Sequence, residues 1–342
     1  MSIELLPWHD APLRGLLSQR EKLPHAMLVY GRHGIGKVKF ARAMAQSLLC
    51  ESINTGVACG ACAACGWFSH GNHPDFRELK PEVLSAEDAD TEAPGGAEDK
   101  EDKEKKKSKQ ITVDQIRELA NFMTLSTHRD GFRILLLHPA ETLNVNAANS
   151  LLKTLEEPPP RTLILLVTDQ IGRLLATIKS RCQRVLLSAP DTATAVAWLQ
   201  AQGIADAELA LGQAGGTPLA ALAFADAQYQ SQRKAFVQVL AAVDADHLAA
   251  AQAFEKSELV NLMTWLQTWV GDVALSRLTG EVLFHRDQSA AISRIAKRID
   301  LPALFRYESQ LRQARRTIHH PLNPRLLLEQ LLISYSHAIT PL

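Results

Sequence analysis

No stretch of about 18 uncharged apolar residues occurs in this 342-residue chain, so no segment is expected to cross a bilayer as a helix. The opening residues, MSIELLPWHDAPLRGLL, lack a basic start, a long apolar run and a small-residue cleavage site, and a secretory leader is not expected. Net charge is missing too, since 37 Lys and Arg balance 37 Asp and Glu. Without a global positive field, any nucleic-acid contact must come from local patches. Also absent is the basic stripe with interleaved aromatics that suits a single-strand binder. Cysteines number five, an odd count, and four of them crowd into residues 50 to 65. That is a poor disulfide framework and a good metal site, and it fits a reducing, cytoplasmic setting.

What is present begins with an α/β pattern. The chain is longer than one typical domain, so two or three domains are expected. The apolar run MLVY at 27 to 30 precedes GRHGIGKV at 31 to 38, and KFARAMAQSLLC at 39 to 50 follows with helical spacing: strand, loop, helix. Two further runs, RILLLHPAE at 133 to 141 and TLILLVTD at 162 to 169, read as buried parallel strands. The helical segment NAANSLLKTLEE lies between them and PPP stops it. Residues 85 to 110 carry blocks of like charge and almost no large apolar side chain, so a disordered surface insertion is expected there. Its KEKKKSK end reads as a solvated tail or a nucleic-acid contact. After Pro190 the periods are helical only, giving a small helical module to about residue 230 and then a helical bundle.

GRHGIGKV sits where a phosphate-cradling loop sits, after a strand and opening a helix. Gly31, Gly34 and Gly36 supply the tight turn and Lys37 the charge, while a plain glycine-rich turn is the competing reading. Val38 stands where the motif needs a hydroxyl for Mg²⁺. The strand that should end in acids ends in His138 and Pro139, and neither is a fit Mg²⁺ ligand. Glu141 lies three residues on, which along an extended strand displaces it by about 10 Å. Both defects point to lost hydrolysis.

Cys50, Cys59, Cys62 and Cys65 follow C-x8-C-x2-C-x2-C, a set that closes around a structural Zn²⁺ and leaves no open catalytic position. His70 and His73 are nearby spare ligands. In the helix before PPP, Leu151, Leu152 and Leu155 form an apolar stripe and Lys153 is placed to pair with Glu156 or Glu157. Both acids lie in the last turn, against the macrodipole. Either they form a solvated face or something outside the helix uses them. In SRCQ at 180 to 183, Arg181 is placed to reach a phosphate on another subunit, and Cys182 reads as a small buried side chain.

With these residues in view, the chain resembles the delta-prime family of bacterial DNA polymerase III clamp-loader subunits, an AAA+-type family. LPHAMLVYGRHGIGK, the cysteine cluster, HPDF, ITVDQIREL, NSLLKTLEEPP, LLATIKSRC and NPRLLLEQLL carry the resemblance over nearly the whole chain. It implies a P-loop (AAA+/RecA-like) parallel-sheet domain at 1–188 with the zinc module (50–65) and the insertion, a helical lid at 189–230 and an all-helical collar at 231–342. It places the Walker A loop on Gly31 to Val38, Walker B on His138 and Pro139, sensor 1 near Thr168 and the sensor-2 arginine on Leu219. Three ATPase elements have thus lost their working side chain.

The resemblance therefore implies a stator that is no ATPase by itself but a component of the DNA polymerase III holoenzyme. Arg181 would act in trans on a neighbour's ATP, with Lys153, Glu156, Glu157 and Ser180 at the interface. Its cofactors would be structural Zn²⁺ and, weakly or not at all, ATP or ADP. Implied partners are ATP-binding gamma/tau-type and delta-type subunits and, through the complex, the sliding clamp and primed DNA. The competing readings are an ATP-hydrolysing clamp-loader subunit and a zinc-dependent nucleic-acid-binding protein.

Overall fold

A computed structural model describes residues 5–52, 56–85, 108–124, 131–242, 246–317 and 323–339. Most of the charged insertion expected at 85 to 110 lies outside the described residues. The chain divides between Pro190 and Asp191 into two compact units.

The first unit alternates helix and strand: α1 (Asp10–Leu17), β1 (Ala26–Tyr30), α2 (Lys37–Leu49), α3 (Ala63–Ser69), β2 (Phe76–Leu79), α4 (Val113–Thr124), β3 (Arg133–Leu137), α5 (Val145–Glu156), β4 (Thr162–Thr168), α6 (Ala176–Arg181) and β5 (Gln183–Leu186). The five strands form one parallel sheet in the order β2-β3-β4-β1-β5. Successive side chains of a strand point to opposite faces, and each face has its own core. Met27, Val29, Ile134, Leu136, Leu163 and Leu165 pack with Phe40 and Met44 of α2. Leu28, Leu135, Leu137, Ile164 and Leu166 pack with Ile116 and Leu119 of α4, Leu151 and Leu155 of α5, and Ile178 of α6. Because both faces are covered, the central strands read as continuous apolar runs.

Those three central strands are the ones the periodicity predicts. The two edges, β2 (FREL) and β5 (QRVL), escape it because each pairs on one side only and keeps polar, partly exposed residues. β3 also stops at Leu137, earlier than RILLLHPAE suggests, and the chain turns into a 3-10 segment at Ala140–Thr142. The helix expected before PPP is α5. Its start is fixed by Asn144, whose side chain accepts a hydrogen bond from the Ala147 N–H.

The second unit is helical: α7 (Thr192–Ala201), α8 (Ala207–Gln213), α9 (Pro218–Phe224), α10 (Ala227–Ala241), α11 (His247–Ala253), α12 (Leu259–Thr279), α13 (Ser289–Ala296), α14 (Leu301–Thr317) and α15 (Pro324–Ile339). Ala195, Leu199, Leu211 and Ala221 of α7 to α9 form a small core. A larger one gathers Phe236, Trp265, Trp269, Tyr307, Leu332 and Tyr335. Residue 230, the expected end of the lid, lies inside α10. Trp269 donates to the Tyr335 hydroxyl at 2.7 Å, which donates to the Leu240 carbonyl at 3.0 Å, so these buried polar groups are satisfied.

Candidate functional site

The glycine loop joins β1 to α2. Gly31 is required by a close approach, since a Cβ there would fall 2.3 Å from the Leu187 carbonyl oxygen. Gly34 (φ 79) and Gly36 (φ 86) are left-handed, a conformation that glycine adopts without steric cost. Gly36 caps α2, so the first N–H groups of that helix open onto the loop. Trp8 donates its indole N–H to the Ile35 carbonyl at 2.9 Å and buttresses the loop from the N-terminal side.

Lys37 is buried. It donates to the Arg32 carbonyl at 2.6 Å and forms an ion pair with Asp169, the residue after β4. His33 Nδ1 lies 2.7 Å from the other Asp169 oxygen. Burial pushes the Asp169 carboxyl up, but hydrogen bonds from His33 and Lys37 outweigh it and hold the group below its ordinary value. The same hydrogen bond raises the His33 pKa. An anion thus already sits on the loop lysine. Val38 packs against the core with its methyl groups, so the metal-side position of the loop is apolar.

The residues after β3 are also engaged by neighbours. Tyr30 of β1 pairs with Thr168 of β4, and Leu137 of β3 lies two residues short of that end, opposite Leu166. His138 follows β3, and its Nε2 is 2.5 Å from Glu78 Oε1 of β2. Glu78 also takes a forked hydrogen bond from Arg42 of α2, at 2.9 Å and 2.5 Å. Burial raises the Glu78 carboxyl, yet the bonds from His138 and Arg42 and the Arg42 charge bring it down to about 2. His138 is therefore engaged with a neighbouring acid.

Glu141 departs from the strand-spacing expectation. Because β3 ends early and the chain turns back, Glu141 Oε1 accepts from the Asp169 N–H at 3.2 Å, at the border of the loop site. Thr168 is buried and its hydroxyl accepts from the Gln170 N–H, while Leu219 is partly buried in α9 of the second unit.

A pH test follows from Glu78. A carboxyl depressed in the folded chain contributes stability that is complete above its unfolded pKa near 4.5 and is lost as pH falls toward about 2. The Glu78→Gln variant is expected to be less stable near neutrality by on the order of 2–3 kcal/mol. Urea midpoints taken from pH 6 downward should show the gap to wild type closing below about pH 4.5; a constant gap contradicts the assignment.

Cys50, Cys59, Cys62 and Cys65 bring their sulfurs within 4.8 Å of one another. A tetrahedron of thiolates at the usual zinc distance has edges of about 3.8 Å, and Cys50 and Cys62 are 3.9 Å apart. Backbone N–H groups of Cys59, Cys62 and Cys65 donate to the sulfurs of Cys50, Cys59 and Cys62 at 3.3, 3.4 and 3.4 Å, and donors of this kind favour thiolates. The donor set fits a closed structural zinc. His70 and His73 stand outside it: His70 Nδ1 lies 2.7 Å from the Gly66 carbonyl, and His73 Nδ1 accepts from the Asp75 N–H at 3.1 Å.

Arg181 ends α6. Leu155 and Cys182 are buried in one core, and the residues adjoining them, Glu156 and Arg181, meet outside it. Arg181 Nη2 is 2.5 Å from Glu156 Oε1, and Nη1 donates to the Thr177 carbonyl at 3.1 Å and the Ser180 hydroxyl at 3.5 Å. This corrects the expected Lys153 pair. Glu156 is taken by Arg181, and Lys153 makes no ion pair with a described residue; it is exposed, as are Glu157 and Ser180. An acid in a last turn costs about 0.3–1 kcal/mol against the helix dipole, which a facing guanidinium offsets. Cys182 is buried and its thiol pushed up to about 11 by that burial, so it is a packing residue.

The residues that sequence reasoning missed are Glu78, Arg42 and Asp169. Only Asp169 left a signal, as the acid closing TLILLVTD.

A five-stranded parallel sheet with β1 between β4 and β5, and a glycine loop leading from β1 into a helix, defines a P-loop nucleotide-fold domain of the AAA+ type. Val38 follows Lys37 in that loop, and His138 and Pro139 follow β3. Residues 15–191 match the family described as DNA polymerase III, delta subunit, and residues 227–337 match its C-terminal counterpart. DNA polymerase III subunit delta' of Pseudomonas aeruginosa is 33% identical over 97% of this chain and 98% of its own length. The same subunit of Yersinia pestis is 29% identical over 98% and 96%. The tau subunit of Salmonella typhimurium is 31% identical over 50% of this chain and 22% of its own. The chain belongs to the delta' family of DNA polymerase III subunits.

Proposed function

We propose that this chain is a non-hydrolysing stator of the DNA polymerase III clamp loader. In this reading residues 1–188 are the degenerate nucleotide-fold domain, 189–230 a lid and 231–342 a collar for assembly. Its neighbours are gamma/tau-type and delta-type subunits; the complex, in the cytoplasm, places a sliding clamp on primed DNA. The likeness to a tau subunit over half the chain supports partners built on a related domain. Among the described residues no helix is long and apolar enough to cross a membrane.

The observation that carries this reading is the metal side of the loop site. Phosphoryl transfer needs a cation bridging the β and γ phosphates, held by a hydroxyl and an acid. Here Val38 is partly buried against the core and His138 is paired with Glu78. Lys37, Gly31, Gly34 and Gly36 would still contact phosphates, but Asp169 competes for the lysine, so ATP or ADP binds weakly or not at all. Arg181 supplies what the chain offers chemically: a planar fork that stabilises charge on a phosphoryl group bound by the next subunit. Zn²⁺ on the four cysteines staples the connection between α2 and α3.

The test is reconstitution with partner subunits. Lys37→Ala in this chain is expected to leave DNA-stimulated ATP hydrolysis by the assembled complex nearly unchanged, because this site contributes no turnover. A large loss of hydrolysis in a fully assembled complex overturns the non-hydrolysing assignment.

A further inference from the structure

We infer that Glu156 is a positioning residue for Arg181, an assignment that rests on the trans role proposed for that arginine. A guanidinium has five N–H donors in one plane. Two anchors fix that plane here: Nη1 on the Thr177 carbonyl and the Ser180 hydroxyl, Nη2 on the Glu156 carboxylate at 2.5 Å. The first anchor belongs to the arginine's own helix α6. The second comes from α5, across the shared core of Leu151, Leu155, Ile178 and Cys182. One anchor leaves the head group free to swing; two from different helices set its direction.

The side chain keeps 34% of its surface exposed, and donors beyond those used by the anchors remain for a phosphate. A finger ordered before its partner arrives avoids the loss of rotamer freedom on engagement. The placement also accounts for an acid in the last turn of α5. Glu156 touches neither substrate nor metal in this scheme; it acts only through Arg181.

The experiment uses the reconstituted complex with DNA-stimulated ATP hydrolysis as readout. Glu156→Ala is expected to lower kcat about tenfold at the site Arg181 serves, with KM for ATP and subunit co-purification unchanged. Glu156→Gln, which keeps the side chain's length and an oxygen facing Nη2 but not the charge, is expected to recover part of the rate. In an Arg181→Ala background, Glu156→Ala should cause no further fall. On the isolated chain, phenylglyoxal should modify Arg181 faster in Glu156→Ala than in wild type. If Arg181→Ala slows the complex and Glu156→Ala leaves kcat unchanged or raises it, the positioning role is overturned while the trans role stands. A further fall in the Arg181→Ala background also overturns it, because Glu156 then acts elsewhere. If Arg181→Ala leaves the rate unchanged in an assembled complex, the trans role fails and this inference with it.

Discussion

If the trans role proposed for Arg181 holds, the Arg181→Ala variant is expected to assemble with its partners into a complex that hydrolyses ATP slowly. An arginine supplied in trans stabilises the charge spread over the transferring phosphoryl oxygens, and such groups contribute about 10³–10⁵ in rate at the site they serve. A ring with several ATP sites loses only the share of that one site, so the measurement to make is single-turnover hydrolysis, where the slow site separates as its own phase. Assembly is expected to persist because the helical second unit has a large core of its own, including Trp269 and Tyr335. Arg181→Lys should recover little, since an ammonium lacks the planar fork. Wild-type single-turnover kinetics in a fully assembled Arg181→Ala complex would falsify the assignment.

Loss of the metal is expected to have the second large effect. The purified chain should contain about one zinc per molecule, and Cys62→Ser should lower the content well below that. Cys62 also caps α3, where its sulfur accepts from the Cys65 N–H, so the substitution removes a ligand and loosens a helix start together. α3 places Phe68 in the core beside Phe76, with ring centroids 4.5 Å apart, which couples the zinc turn to the sheet. A fall in melting temperature of roughly 5–10 °C is expected from a loss of two to three kcal/mol in a domain of this size. Proteolysis should also shift to the segment around residues 56–65. A metal-free protein that melts like the wild type would remove the zinc assignment.

How much of this was legible beforehand depended on how far each signal is local. Four cysteines within sixteen positions define their own cluster, because the spacing alone brings the sulfurs together. The glycines and Lys37 are likewise a local motif. That Val38 and His138 depart from the motif is also read from the sequence, since the identity of a residue is visible wherever the chain goes. What holds His138 is not visible: Glu78 is 60 residues away and meets it only because β2 and β3 are neighbours. The partner of Lys37 is equally remote, since Asp169 reaches it through the pairing of β1 with β4. Lys153 shows the converse error. Helical spacing offered it two acids, but a side chain on the next helix was nearer to one of them.

The contact between Gly31 and Leu187 gives the glycine loop a duty that owes nothing to nucleotides. The Leu187 carbonyl lies where a Cβ at position 31 would be, and β5, which precedes it, is hydrogen-bonded along β1 from Met27 to Tyr30. One residue separates Arg181 from the start of β5. The missing carbon at Gly31 is thus a notch into which the residue after the edge strand is keyed. The turn at Gly31 is thus tied, through Leu187 and the residues of β5, to the stretch of chain that carries Arg181.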